Sequence, residues 1–202
     1  MGIRRGNVKS EDFEWISNRD LVDSAHMLMG EIDLDPASSA FANPYVGAKK
    51  FFNPVDDGLN DQEWFGKVYL FPPHQSYFWD KKNDRWKPTR GLSPTLVSGH
   101  SLWWRTLKRK WLAREVEQAV YLTNYIDMVM YSQDIFDHPV CIMKQRPSLI
   151  RHYYTDDRTE HKSTGVSLIV YLGPQENIHE STENFIDIYS EKGRILVYTI
   201  GS

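Results

Sequence analysis

The apolar run Lys67-Val68-Tyr69-Leu70-Phe71 passes directly into Pro72-Pro73-His74. Two prolines cannot continue a sheet ladder, because neither has an N–H to donate and both fix φ. A strand must therefore stop here and leave backbone carbonyls and His74 at its C-terminal edge, where open α/β sheets bind ligands. Most Pro-Pro pairs are only stiff turns, so the residues upstream decide what this one means. There a short strand, Ile32-Asp33-Leu34, runs into Asp35-Pro36-Ala37-Ser38-Ser39. A carboxylate at a strand end followed by small side chains suits a nucleotide-like ligand. The carboxylate accepts hydrogen bonds from an amine or hydroxyls, and the small residues admit close approach to the backbone. The same residues equally suit a plain cap on the next helix, and both readings stand.

Two further stretches belong to this chemistry. Asp56-Asp57-Gly58-Leu59 is first of all a tight turn. Ala119-Val-Tyr-Leu-Thr-Asn124 reads as a buried strand, and its polar end falls at the edge expected for Pro72 and His74. Asn124 is thus a candidate hydrogen-bond acceptor at that edge.

Residues 81–114 form a separate kind of signal. Lys81, Lys82, Arg85, Lys87, Arg90, Arg105, Lys108, Arg109, Lys110 and Arg114 crowd together with four tryptophans, and Asp84 is the only acid. Its first half, with Pro88, Gly91, Pro94 and Gly99, reads as loop. Its second half reads as a helix from about Ser101, with Trp104, Leu107 and Trp111 on one stripe. A solvated basic helix face is common. In a chain of net charge −3, however, so one-signed and aromatic a segment favours a phosphate-binding face.

The elements that must position these residues follow from pattern. Asp20 is a candidate cap for a helix carrying Leu21, Val22, Ala25, Leu28 and Met29 and ended by Gly30. Strands are expected over 48–52, 67–71, 119–124, 140–143, 149–153 and 167–172, with a charged loop over 153–163. At the C-terminus Phe185–Tyr189, a Glu191-Lys192-Gly193 turn and Ile195–Ile200 read as a β-hairpin. Residues 1–11 read as a loose basic arm. The alternation of helices and strands predicts an α/β fold with a central, mostly parallel sheet. With 202 residues the chain can bury a core of its own, and the single Cys141 excludes a disulfide framework or a cysteine-rich zinc site. No metal site is expected. No apolar stretch approaches membrane-spanning length and the N-terminus has no signal-like segment, so a soluble, cytoplasmic protein is expected.

Taken together, Ile32-Asp-Leu-Asp-Pro-Ala-Ser-Ser39, Ala42-Asn43, Val46, Ala48, Phe51-Phe52, Asp56-Asp-Gly-Leu59, Trp64, Gly66, Lys67-Val-Tyr-Leu70 and Pro72-Pro73 resemble the phage-type, Dam-like DNA N6-adenine methyltransferases. The likeness spans roughly residues 12–174, is weak over 80–118, and leaves 175–202 as an extension. It implies a Rossmann-like methyltransferase fold and transfer of a methyl group from S-adenosylmethionine to an adenine flipped out of double-stranded DNA. By that resemblance Asp35, Pro36, Ala37, Ser38 and Asp57 bind the cofactor. Phe71, Pro72, Pro73 and His74 occupy the catalytic motif, with Asn124 as a stand-in acceptor. Lys81, Lys82, Arg85, Arg105, Lys108 and Arg109 hold DNA, and a phage-encoded protein would work in the host cytoplasm. Phe71 and His74 stand where the family has Asn, Asp or Ser and Tyr. Those two substitutions keep open a non-catalytic module that binds DNA or a protein, and a repurposed nucleobase-modifying enzyme.

Overall fold

The computed structural model describes residues 15–60, 62–89, 96–151, 160–163 and 165–198. The expected N-terminal arm, the loop around Arg90, Gly91 and Pro94, and residues 199–202 lie outside these. So does 152–159, which takes in the end of the expected 149–153 strand and much of the expected 153–163 loop.

In chain order the elements are β1 (Trp15–Ser17), α1 (Arg19–Met29), β2 (Leu34–Asp35), α2 (Asn43–Val46), β3 (Lys50–Phe51), β4 (Gly66–Leu70), β5 (Ser76–Asp80), β6 (Arg85–Thr89), β7 (Val97–Ser98) and α3 (Gly99–Leu112). There follow β8 (Val116–Thr123), two 3-10 turns (Ile126–Met130 and Gln133–Asp137), β9 (Val140–Met143), β10 (Ser148–Arg151), β11 (Glu160–Lys162), β12 (Leu168–Leu172), α4 (Ile178–Tyr189) and β13 (Gly193–Leu196). The fold is α/β around a seven-stranded sheet of order β13-β9-β12-β8-β4-β2-β3. β3, β2, β4 and β8 run parallel, whereas β12, β9 and β13 join antiparallel. The sheet is mixed rather than mostly parallel: three of its strands enter antiparallel to their neighbours, β12 beside β8, β9 beside β12 and β13 beside β9.

Strand alternation divides the core between the two faces of this sheet. Val68, Leu70, Ala119 and Tyr121 pack with Trp103, Trp104, Leu107 and Trp111 of α3. Tyr69, Phe71, Val120 and Leu122 pack with Leu21, Val22 and Ala25 of α1 and Phe185 and Tyr189 of α4. The tryptophan stripe of α3 is thus core, with Trp104 and Leu107 fully buried and Arg105 and Arg109 exposed on the opposite side. α1 starts two residues earlier than the sequence suggests. Asn18 is its cap and accepts from the Leu21 N–H at 3.2 Å, while Asp20 pairs with Lys192 at 2.7 Å.

Three expectations are corrected. Phe185–Tyr189 is not a strand of a C-terminal hairpin: it is the end of α4, where Ser181, Phe185 and Tyr189 recur at i, i+4 and i+8 and are all buried. β13 then completes the main sheet beside β9, so 178–196 is part of the core and not an appendage. The first half of the basic segment is no loop. β5 and β6 form an antiparallel hairpin in register Ser76 to Thr89 through Asp80 to Arg85, sealed by a Trp79–Trp86 edge contact at 5.2 Å. Within the expected 153–163 loop, Glu160–Lys162 is a strand paired with β10 in a small sheet that also holds β1. No helix among the described residues is long and apolar enough to cross a membrane.

The place of α4 can be checked directly. Phe185 is fully buried, its ring stacked on Tyr171 at 5.6 Å. Phe185→Ala should cost roughly 3–5 kcal/mol in urea unfolding; a peripheral extension would lose well under 1 kcal/mol.

Candidate ligand cavity and the polar cluster beside it

The parallel half of the sheet brings the C-terminal ends of β2, β3, β4 and β8 to one edge. Leu34 lies opposite Val68, Asp35 opposite Phe51 and Leu70 opposite Tyr121. A cavity of about 260 Å³ opens at this edge. Pro36, Ala37 and Ser38 form one wall, Asn53, Asp57 and Gly58 a second, and Phe71, Pro73 and Gln75 a third. Trp15, Ile16, Ala42, Phe52, Pro54, Tyr77, Pro88 and Trp103 complete the lining. Two stretches singled out in the sequence, 35–38 and 56–59, therefore meet across one space.

Backbone contact makes them meet. The Ser38 N–H donates to the Phe52 carbonyl at 2.9 Å, and the Phe52 N–H donates to the Asp35 carbonyl at 3.0 Å. A Cβ on Gly58 would collide with the Pro36 carbonyl oxygen, so only glycine lets the second turn approach the first. The Trp64 indole N–H, buried beneath, donates to the Gly58 carbonyl at 2.8 Å. Asp57 has φ of 56°, a conformation that its short polar side chain tolerates. Its carboxylate accepts from Asn60 at 3.0 Å and forms an ion pair with Arg85. Asn60 also bonds both the N–H and the carbonyl of Trp86 at 3.0 Å, as a neighbouring strand would. The 56–60 turn is thus the seat of the β5–β6 hairpin, whose Tyr77 and Pro88 in turn wall the cavity.

Asp35 is only 4 % exposed and is not on the cavity wall. Its Oδ1 accepts from the Ala37 N–H at 3.1 Å, which shapes the 36–38 turn from beneath. Burial pushes its carboxyl up to about 7, against the pull of the Ser38 hydroxyl and the Ala37 N–H. The Ser38 hydroxyl lies near enough to favour the charged form but out of hydrogen-bond geometry, and its Oγ is buried without a partner.

Of the motif residues, Phe71 belongs to the apolar cluster on the α1 face and presents a ring to the cavity. Pro72 is buried off the wall, and Pro73 lines it, its carbonyl taken by the Gln75 N–H at 2.9 Å. His74 turns away from the cavity wall into a second cluster, beside Asn124 as the strand ends suggested. There it also meets His100, at the start of α3, with ring centroids 4.6 Å apart. Sequence reasoning missed His100. Its only sequence mark was Gly99 before it, needed because a Cβ there would collide with the Gln75 carbonyl oxygen. Burial keeps the His74 imidazole below its ordinary pKa, against a smaller pull from Asn124. Burial, and then His74, keep that of His100 well below it.

The six basic residues divide in two. Arg85 is held by Asp57, and Lys108 by Asp134 at 2.8 Å with Asp137 at 3.6 Å. Lys81 and Lys82 sit exposed in the β5–β6 turn, and Arg105 and Arg109 on α3, with Arg105 donating to the Tyr131 carbonyl at 3.1 Å. None of these four takes part in a salt bridge among the described residues. Among the described residues no group of three or more His, Cys, Asp or Glu is placed to hold a metal ion.

No family model matches the chain, and no curated protein or solved structure matches it.

The Asp35 carboxyl sets a pH test. Its folded value near 7 lies above the ordinary 3.8, so the unfolded chain binds fewer protons between the two. Wild-type stability should then fall, relative to Asp35→Asn, as pH rises from 4 to 8. The difference is on the order of 4 kcal/mol, at about 1.4 kcal/mol for each pH unit between the two values. Urea unfolding of both proteins at pH 4 and 8 measures it; an unchanged difference would mean that the carboxylate is compensated in the fold.

Proposed function

We propose that the chain is an S-adenosylmethionine-dependent, DNA adenine-N6 methyltransferase-like protein with a Rossmann-like methyltransferase fold. One observation carries this reading. Pro36, Ala37, Ser38, Asp57 and Gly58, from the two segments that resemble the family's cofactor-binding run, line a single cavity at the strand edge together with Phe71 and Pro73. The wall suits the cofactor. Phe52, Phe71, Tyr77 and Trp103 offer apolar faces for a purine, while Asn53, Asp57, Gln75 and the unpartnered Ser38 Oγ offer polar groups for a ribose and an amino acid. When bound, the cofactor supplies an electrophilic methyl group on a sulfonium. The chain's own part is to hold Pro36–Ala37–Ser38 and Asp57–Gly58 at the distance that admits it, and to keep water from the apolar side.

DNA is the partner that the four unpaired cations support. Arg85 and Lys108 have structural work instead, the first pinning the hairpin and the second the 3-10 turns. A second reading, a non-catalytic module of the same fold, rests on Phe71. Its phenyl ring at the strand end accepts no hydrogen bond from an amine.

Calorimetric titration with S-adenosylmethionine tests the cavity. Micromolar binding is expected, weakened about 10- to 100-fold by Ala37→Phe, which overfills the wall. No heat at millimolar ligand would remove the cofactor from the reading. Binding without methyl transfer to unmethylated DNA would leave the non-catalytic module.

The division of the cations gives an independent test. Arg109→Ala should reduce the slope of log K against log salt for duplex DNA by roughly 1. Lys108→Ala, which frees Asp134 but removes no free cation, should leave that slope unchanged.

A further inference from the structure

A hydrogen-bond network on the cavity wall has a donor to spare. The buried Trp103 indole N–H donates to the Tyr77 hydroxyl at 3.2 Å, and the Gln75 carboxamide meets the same hydroxyl at 2.8 Å. All three side chains line the cavity. Tyr77 is 4 % exposed. Burial keeps its phenol above the ordinary pKa, so the hydroxyl holds its proton.

The surplus survives either orientation of the Gln75 carboxamide. An indole N–H can only donate, so the Tyr77 oxygen is an acceptor toward Trp103. With the amide nitrogen toward Tyr77, Gln75 donates as well, and the phenolic proton has no acceptor among the described residues. With the amide oxygen there instead, it takes the phenolic proton and both amide protons are left over. A donor on a cavity wall is completed by whatever fills the cavity. The pair is also fixed in advance. The Gln75 N–H donates to the Pro73 carbonyl at 2.9 Å, and its carbonyl accepts from the Gly99 N–H at 2.8 Å. Tyr77 sits on the middle strand of the β6-β5-β7 sheet, opposite Pro88 and Val97. On another wall Ser38 Oγ is buried without a partner. A hydroxyl oxygen keeps an accepting lone pair whichever way its proton turns, so Ser38 offers the complementary acceptor.

From this geometry we infer that Gln75 and Tyr77 form the specificity-determining contact of the cavity, a hydrogen bond donated to an unprotonated ring nitrogen of a purine nucleoside. The donor belongs to a network of two aromatic side chains, where a flat ring is held, and not to the wall that carries the Asp57 carboxylate. A hydroxyl or amine of the same ligand donates to Ser38 Oγ. This inference rests on the proposed cofactor reading. It adds two residues of the crossover to the segments that resemble the family's cofactor-binding run.

The test uses the full chain and calorimetric titration with S-adenosylmethionine, adenosine and the 1-, 3- and 7-deaza forms of adenosine, each with one ring nitrogen replaced by C–H. One deaza form should bind about tenfold more weakly than adenosine, as expected when a buried donor is left unpaired. That penalty should vanish in Tyr77→Phe or in Gln75→Leu, whichever removes the donor, because the contact is already gone. The other two analogues should keep their ratio to adenosine. A variant that only loosens the fold weakens all four nucleosides alike and leaves every ratio as it was. No deaza form weaker than adenosine, or ratios unchanged in both variants, overturns the inference and leaves the cofactor reading standing. If neither S-adenosylmethionine nor adenosine binds at millimolar concentration, the cofactor reading falls first, and this inference with it. Should either variant fail to fold, the four nucleosides on the wild-type protein decide the matter, and equal affinities overturn it.

Discussion

The parallel pairing of β4 with β8 is the constraint on which the rest of the molecule depends. Parallel neighbours cannot be joined by a tight turn, so the chain between them must cross over the sheet. Here the crossover holds the β5–β6 hairpin, β7 and α3, and its tryptophans cover one face of the two strands. Because both strands point the same way, both end at the same edge, one in Pro72-Pro73 and the other in Thr123-Asn124. The crossover itself enters α3 at that edge, and so His100 arrives beside His74.

The 56–60 turn is the second fixed point. It touches the 36–38 turn through a glycine that leaves no room for a side chain, and it holds the hairpin through Asp57 and Asn60. An ion pair at a partly exposed site contributes little to stability by itself. Its effect here is geometric, setting where the hairpin stands over the cavity. A charge that looks free in the sequence is in this way spent on architecture, while Lys81, Lys82, Arg105 and Arg109 stay available to an anionic partner.

The buried groups around the edge differ in what burial does to them. Asp35 has one backbone donor and the field of a nearby hydroxyl, which is too little to keep a carboxylate comfortable out of water. His74 and His100 are neutral for the same reason. The edge thus gathers polar groups whose charged forms burial disfavours.

Much of the fold was legible locally. β9 lies where its apolar run put it, α3 carries the expected buried stripe, and the double proline ends β4 because no other backbone outcome is open to it. Phe185–Tyr189 misled because aromatic and β-branched residues favour strands in isolation, and only packing against Tyr171 and Leu21 selected the 3.6 period. The hairpin at 76–89 was hidden by Pro88 and by its charges, which cross-strand partners absorb. Of the site, the residues at strand ends could be named from sequence because ending a strand is a local event. That Arg85 belongs to Asp57, that Asp35 lies under its turn and not in the cavity, and that His100 completes the polar cluster were decided by the tertiary structure. Each is a contact between segments brought together only when the crossover folds over the sheet, and no local periodicity records it.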